Sequence, residues 1–386
     1  MLYLHLMDRR DFLKLSAMGL AGLSLPVVRG ADLPQPVAGD DGKYSVVILG
    51  DTHYDSPNPE LYHAGYTDPD PVREANHRKE FARNGIMWSG RCRDLVKRAA
   101  CLVDEDTRFV YQVGDLIQGD TADAETHKRF LKDAMDLFKA DLAPDLPFVS
   151  VAGNHDLRGN DDAVCTRAYT EYMSERMSKE LGQEITGTNF LFRCGPDAYV
   201  VVNFTNPKVD EIISLLEQAR GARHVFVLIH APVFPFDDEK YFFWFFLGDR
   251  NDARAEKRRK MRALLASLNA IVLCGHTHAT EFLDWYGDGG RITQMTMSSV
   301  WSYASRGHYR VLASGAKGYG TLLFRRDRSL RTDDNKALFD EYRSGIRAYS
   351  ISDSAGSYKM TVDGPNVFVD FYAGDSARRS ARFQLR

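Results

Sequence analysis

The chain reads as an α/β protein with a β-rich C-terminal extension. Three observations carry this reading. From Lys43 onward, short apolar runs alternate with stretches of helical spacing. Five of those runs end in polar clusters built from Asp, Asn and His. After His278 helical patterns become scarce and strand-like runs follow one another. In an open α/β sheet, ligands gather outside the carboxyl ends of the strands. Five polar clusters at five strand ends are therefore expected to converge in space.

The elements follow in order. Arg9-Arg10-Asp11-Phe12-Leu13-Lys14 precedes a short, weakly apolar stretch over 15–28. This resembles a twin-arginine export signal, with cleavage expected near Gly30 or Ala31. Residues 1–31 are accordingly left out of the fold, and the mature protein is expected to be exported, periplasmic or extracellular. Residues 45–49 read as a first strand ending at Asp51. Residues 55–83, polar and carrying Pro57, Pro59, Pro69 and Pro71, read as a loop or insertion. Helices are expected over 88–103, 122–142, 209–219 and 252–268, and strands over 108–113, 147–151, 198–204, 224–229 and 270–274. In the tail, strands are expected over 282–286, 292–303, 319–324 and 367–372, with one helix over 336–344. Asp363-Gly364 is a hairpin-turn candidate. The domain reading is a signal over 1–31, a main domain over 44–305, and an extension over 306–386 that completes a second sheet and adds an appendage.

Bulk properties narrow the function classes. The chain has 386 residues, 44% hydrophobic and 27% charged, as a folded globular protein does. A net charge of −3 argues against a general nucleic-acid binder. No run in the body of the chain is long and apolar enough for a membrane span. The five cysteines match no zinc spacing, and their odd number leaves at least one thiol outside any intramolecular bridge.

The clusters are Asp51-Thr52-His53, Gly114-Asp115, Gly153-Asn154-His155-Asp156, Leu228-Ile229-His230 and Gly275-His276-Thr277-His278. Asp51 and His53 are two apart, so in extended backbone they face the same side and can reach one ion. Asp115 offers two oxygens and can bridge two cations, which an imidazole cannot. Asn154 supplies an uncharged oxygen donor. His155 is placed to act as an acid or phosphate donor, and Asp156 is a candidate to orient its ring. Taken singly, Asp-x-His, Gly-Asp and the lone His230 are ordinary turns or strand ends. Gly-Asn-His-Asp and Gly-His-Thr-His carry more weight.

In this order the five motifs resemble the calcineurin-like metallophosphoesterase family over roughly residues 44 to 300. The resemblance implies a four-layer α/β/β/α sandwich of two sheets flanked by helices. It implies one ion on Asp51, His53 and His278, a second on Asn154, His230 and His276, and Asp115 bridging them, with His155 as the catalytic histidine that is not a ligand. The ligand chemistry suits two divalent transition-metal ions: Mn, Fe, Zn, Ni or Co. The implied reaction is hydrolysis of a small phosphate monoester or diester by a metal-bridging hydroxide attacking in line. Gln118 stands where protein phosphatases of the family carry an Asp and purple acid phosphatases a Tyr. Both subfamilies are disfavoured, and Asp156 or a backbone group must orient His155. The alternatives are a nuclease of the same family and a non-catalytic metal-binding scaffold. The expected partners are a small phosphate ester and the twin-arginine export machinery. Candidate cleft residues are His63, Arg83, Asn84, Arg91, Arg158, Phe236, Phe242, Trp244, Trp301 and Tyr303. The aromatic run over 241–246 reads as a buried patch rather than a substrate platform.

Overall fold

Two β-sheets face each other and carry helices on their outer sides, and the reason lies in how the strands alternate. The structure, a computed structural model, describes residues 42–237, 245–248, 252–300 and 309–386. The export-signal reading lies outside the described residues, as do positions 241–244 of the aromatic run and 301–303 of the strand expected over 292–303. In the second sheet, β5 (Asp197–Val202), β6 (Val225–Ile229) and β7 (Ile271–Cys274) run parallel as neighbours. Tyr199, Val201, Phe226, Leu228, Ile271 and Leu273 join one core, while their immediate neighbours in sequence join the other. A strand buried on both faces puts alternate side chains into two different cores.

The first sheet has the order β14-β13-β12-β1-β2-β3. β1 (Tyr44–Leu49), β2 (Thr107–Gln112) and β3 (Phe148–Ser150) are parallel, and the helices between them cover the outer face. These helices are α1 (Glu60–His63), α2 (Pro71–Trp88), α3 (Arg91–Ala100), α4 (Ala124–Leu142) and, after β3, α5 (Asp162–Leu181). The second sheet has the order β10-β11-β8-β9-β7-β6-β5-β4. Its remaining strands are β4 (Phe190–Cys194), β8 (Thr280–Gly287), β9 (Gly290–Thr296), β10 (Val311–Ser314) and β11 (Ile346–Ser352). The outer core of this sheet packs on α6 (Val209–Gln218), α7 (Asp252–Ser267), α8 (Thr321–Arg326) and α9 (Asp333–Arg343). β12 (Gly356–Asp363), β13 (Asn366–Ala373) and β14 (Ala381–Gln384) return to the first sheet, with β12 antiparallel to β1. The C-terminal residues thus build both sheets. The hairpin turn at Asp363-Gly364 forms, Gly364 having φ 56°.

The sheets are also joined by buried hydrogen bonds. Tyr111 Oη of β2 donates to the Leu273 carbonyl of β7 at 3.1 Å, and Tyr44 Oη of β1 to Asp197 Oδ2 at 2.8 Å. Each satisfies a buried polar atom that would otherwise cost about 1–3 kcal/mol.

Three expectations are corrected. Residues 71–88 form helix α2, although a loop was expected over 55–83. Asp70 caps it by accepting from the Val72 and Arg73 amides, and Pro71 occupies the first helical position, which has no use for an N–H. The helix expected over 88–103 is only Arg91–Ala100, because Ser89-Gly90 breaks it from α2. Residues 321–326 form α8 rather than a strand: Gly320 turns the chain at φ 77°, and the buried Asp237 carboxylate accepts from the Leu322 and Leu323 amides. All five cysteines are free thiols, Cys101 exposed and the others buried. No helix among the described residues is long and apolar enough to cross a membrane.

Candidate metal centre

The carboxyl ends of β1, β2 and β3 in one sheet face those of β6 and β7 in the other, and the five polar clusters meet there. Asp51 and His53 follow β1, Asp115 follows β2, Asn154 and His155 follow β3, His230 follows β6, and His276 and His278 follow β7. Their ligand atoms fall into two close sets, Asp51 with His53 and His278 and Asp115 with His230 and His276, and a third, of His53, Asp115 and His155, spans them. His278 Nε2 lies 3.1 Å from Asp51 Oδ2 and 3.1 Å from His53 Nε2. In the other set, His230 Nε2 lies 3.2 Å from Asp115 Oδ2 and 3.1 Å from His276 Nδ1. Asp115 Oδ2 is also 3.7 Å from His53 Nε2, so this one carboxylate touches both sets.

The backbone around the site is held in unusual conformations. His53, Asp115, His276 and His278 have φ of 41°, 51°, 72° and 53°, a region that side-chain-bearing residues rarely occupy. Strain of this kind persists only where the surroundings over-determine it, and it clusters at functional sites. Two motif glycines show the crowding. A Cβ on Gly275 would sit 2.2 Å from Asp51 Oδ1, and one on Gly153 would sit 2.1 Å from the Asp115 amide nitrogen. Neither clash can be relieved without moving a ligand residue.

Neighbouring groups fix several of the candidate ligands. His230 Nδ1 donates to the Val113 carbonyl at 2.8 Å, which turns Nε2 toward Asp115. The His276 amide donates to Asp51 Oδ2 at 3.0 Å, and the His155 amide to Asp115 Oδ1 at 2.8 Å. Trp88, at the end of α2, donates its indole N–H to the Thr52 and His53 carbonyls at 3.1 and 2.8 Å.

His155 Nδ1 donates to the Gln118 carbonyl at 3.0 Å, so a backbone group orients the catalytic-histidine candidate. Asp156 does not touch that ring. Its buried carboxylate accepts from the Ile117 and Gly153 amides at 3.0 and 2.9 Å and holds the loop that presents Asn154 and His155. Burial, then the charge of Asp115, pushes its carboxyl up to about 7.

Burial alone would raise the Asp115 carboxyl, but the surrounding histidines, His230 foremost, hold it well below its ordinary value. Burial pushes His53 down to about 4 and His276 down to about 3, so both are neutral imidazoles at neutral pH, the form that binds metals. Burial likewise lowers His230, but Asp115 and Asp51 outweigh it and lift the ring to about 9.

The donor set fits divalent metal ions. Imidazoles, carboxylates and an amide oxygen converge, and the Asn154 amide oxygen is buried without a hydrogen-bond partner. A buried acceptor of that kind calls for a cation or a donor.

Beside the centre lies a cleft of about 470 Å³, walled on one side by α2. Of the expected cleft residues, Arg83, Asn84 and Arg158 line it. His63 is buried instead, stacked on Phe81 at 3.6 Å with Nε2 3.1 Å from Asp55 Oδ1. Phe236 belongs to the outer core, and Arg91 is absent from the cleft lining. Phe242, Trp244, Trp301 and Tyr303 lie outside the described residues, and Phe245 and Phe246 at the end of the aromatic run are buried. Arg73, Asn76, His77 and Glu80 of α2 also line the cleft. The sequence reading missed them because α2 carries no apolar stripe, although Asp70-Pro71 is a legible helix start.

No curated protein matches the chain. Among solved structures it is distantly similar to GAP50, the anchor in the inner membrane complex of Plasmodium, at 13% identity, covering 89% of each chain, with a TM-score of 0.45. It is similar to PhoD at 11% identity over 92% of this chain and 69% of that one, with a TM-score of 0.48. A dimetal phosphatase from Danio rerio is similar at 12% identity over 89% of this chain and 98% of the other, with a TM-score of 0.48. Residues 44–280, which hold every one of the five clusters, match the family model of the calcineurin-like phosphoesterases, and the chain belongs to that family.

Proposed function

We propose that the protein is a dinuclear metal-dependent phosphoesterase that hydrolyses a small phosphate monoester or diester. The observation that carries this reading is the sharing of Asp115 between two sets of ligands, with His155 alongside. Asp51, His53 and His278 would hold one divalent ion, and Asn154, His230 and His276 the other. Mixed imidazole and oxygen donors suit Mn, Fe, Zn, Ni or Co. Bound ions of this kind supply Lewis-acid charge neutralisation and lower the pKa of water.

The chain's own residues then have definable tasks. His155, anchored through Nδ1 to the Gln118 carbonyl, points Nε2 away from that anchor. A phosphate dianion beside the ring favours the imidazolium, which can protonate the leaving alkoxide. Arg158 is fixed by its ion pair with Asp120, Nη2 to Oδ2 at 2.6 Å, and lines the same cleft. It offers positive charge to the phosphoryl oxygens. Arg9-Arg10 and the weakly apolar stretch after them support export through the twin-arginine route; Arg9→Lys with Arg10→Lys should leave the protein in the cytoplasmic fraction.

The test is metal analysis of the purified protein together with assays on a phosphomonoester and a phosphodiester. Asp115→Ala should lose bound metal and ester cleavage together. His155→Ala should keep its metal while kcat falls by about 10²–10⁴-fold. Fully loaded wild-type protein that cleaves neither ester class across a broad panel would overturn the proposal.

A further inference from the structure

The cleft carries a second message, written on α2. Six residues of this helix face it: Arg73, Asn76, His77, Glu80, Arg83 and Asn84. Their spacing of three and four marks a single helical face. Every cleft-lining residue among the described ones is polar or charged, with no aliphatic side chain, Phe, Tyr or Trp. Lipid chains are held by apolar walls, and this lining supplies none.

Two atoms in the lining specify what it supplies instead. Asn84 is buried, and its Nδ2 is committed to Gln118 Oε1 at 2.7 Å. Its Oδ1 is buried without a hydrogen-bond partner, an acceptor waiting for an O–H or N–H. Arg158 has given Nη2 to Asp120, and its Nε is buried without a partner, a charged donor waiting for an anionic oxygen. The residues lining the cleft thus include one buried, unmet donor suited to a phosphoryl oxygen and one buried, unmet acceptor suited to a hydroxyl. Asn76 lies about 12 Å up the helix from Asn84, with His77 and Glu80 between them, so hydrogen-bonding groups continue away from the metal centre.

The geometry points to phosphate esters of hydroxyl-rich alcohols, polyol and sugar phosphates, as the substrate class, with α2 as the selecting wall. Arg158 Nε holds a non-bridging phosphoryl oxygen, and Asn84 Oδ1 accepts from a hydroxyl of the alcohol. This rests on the phosphoesterase reading above. In the reaction water adds its oxygen to phosphorus and releases a proton to solvent, the bond from phosphorus to the alcohol oxygen breaks, and the alcohol leaves with a proton from His155, which solvent restores. Gln118 gains a role here: its side chain fixes Asn84 while its carbonyl fixes His155, coupling substrate choice to the catalytic histidine.

The experiment compares glycerol 3-phosphate, glucose 6-phosphate, 4-nitrophenyl phosphate and a nucleoside monophosphate. It reads kcat/KM with the metal-loaded enzyme and Kd by calorimetry with metal-loaded His155→Ala. Wild type should favour the two polyol esters over the other two in both readouts. Asn84→Ala should lower the ratio of polyol to aryl ester at least tenfold, and Arg158→Lys should weaken all esters alike and leave the ratio in place. Asn76 is exposed, so Asn76→Ala does not disturb packing; it should weaken glucose 6-phosphate several-fold relative to glycerol 3-phosphate. Equal losses on both ester classes in the Asn84 and Asn76 variants, or a wild-type preference for the aryl or nucleotide ester, would overturn the inference. Binding preference without turnover of any ester would instead sink the hydrolase reading and leave the selecting wall standing.

Discussion

At the residue scale, the site is held by positions that most residues would avoid. Four candidate ligand residues sit at positive φ, and the glycines before them leave no room for a methyl group. A second buried acid shows what such a crowded interior does elsewhere. Glu281 on β8 is buried with Oε2 accepting from Gln294 Nε2 at 3.0 Å and Thr296 Oγ1 at 3.3 Å, and burial pushes its carboxyl from 4.5 up to about 8. Between those two values the unfolded chain gives up a proton that the native chain keeps. The native state therefore binds more protons, and stability falls as pH rises through this window, at up to about 1.4 kcal/mol per pH unit. Below it Glu281 contributes no slope, and above it the loss is complete. Glu281→Gln should flatten the decline in urea midpoint between pH 5 and pH 8. An unchanged decline would place its cause in other groups.

At the element scale, α2 joins the cleft wall to the candidate metal ligands. Trp88 closes the helix onto the backbone of Thr52 and His53. Trp88→Phe keeps the ring but removes the donor, and should cost about 1–3 kcal/mol in chemical denaturation and weaken metal retention. Unchanged metal affinity would mean that the loop at His53 holds its shape without the indole. This helix also marks where the sequence was hard to read. Strands such as β6 and β7 declare themselves by unbroken apolar runs, and so do the polar clusters that end them. α2 has a polar cleft face and four prolines in or before it, so neither periodicity nor composition announces it. α8 was misread for the opposite reason: Tyr319, Leu322 and Leu323 look like a buried strand, and only the distant Asp237 carboxylate caps Leu322 and Leu323 as the start of a helix. α5, absent from the sequence reading, carried its own signals in the Asp161 cap and in Gly182 at φ 64°.

At the scale of the whole molecule, the motif residues came together because strand direction, legible in the sequence, places them at one end of each sheet. The pairing of the C-terminal strands was not legible, since nothing local tells β12 to choose β1 over β11. That choice gives β1 neighbours on both sides, β2 and β12. Deleting residues 356–386 should uncover the β1 edge and abolish soluble expression of folded protein. Circular dichroism of any soluble fraction would check this, and a native-like spectrum would show that β12–β14 are dispensable.

The hydrogen bond from the His276 amide to Asp51 closes a loop of 225 positions. Ring closures that long add slowly growing entropy and form after local contacts. The centre therefore cannot exist in a half-folded chain. For the metal binding proposed above, uptake would then be a timestamp of completed folding: an ion could lock in the finished architecture, but it could not nucleate it.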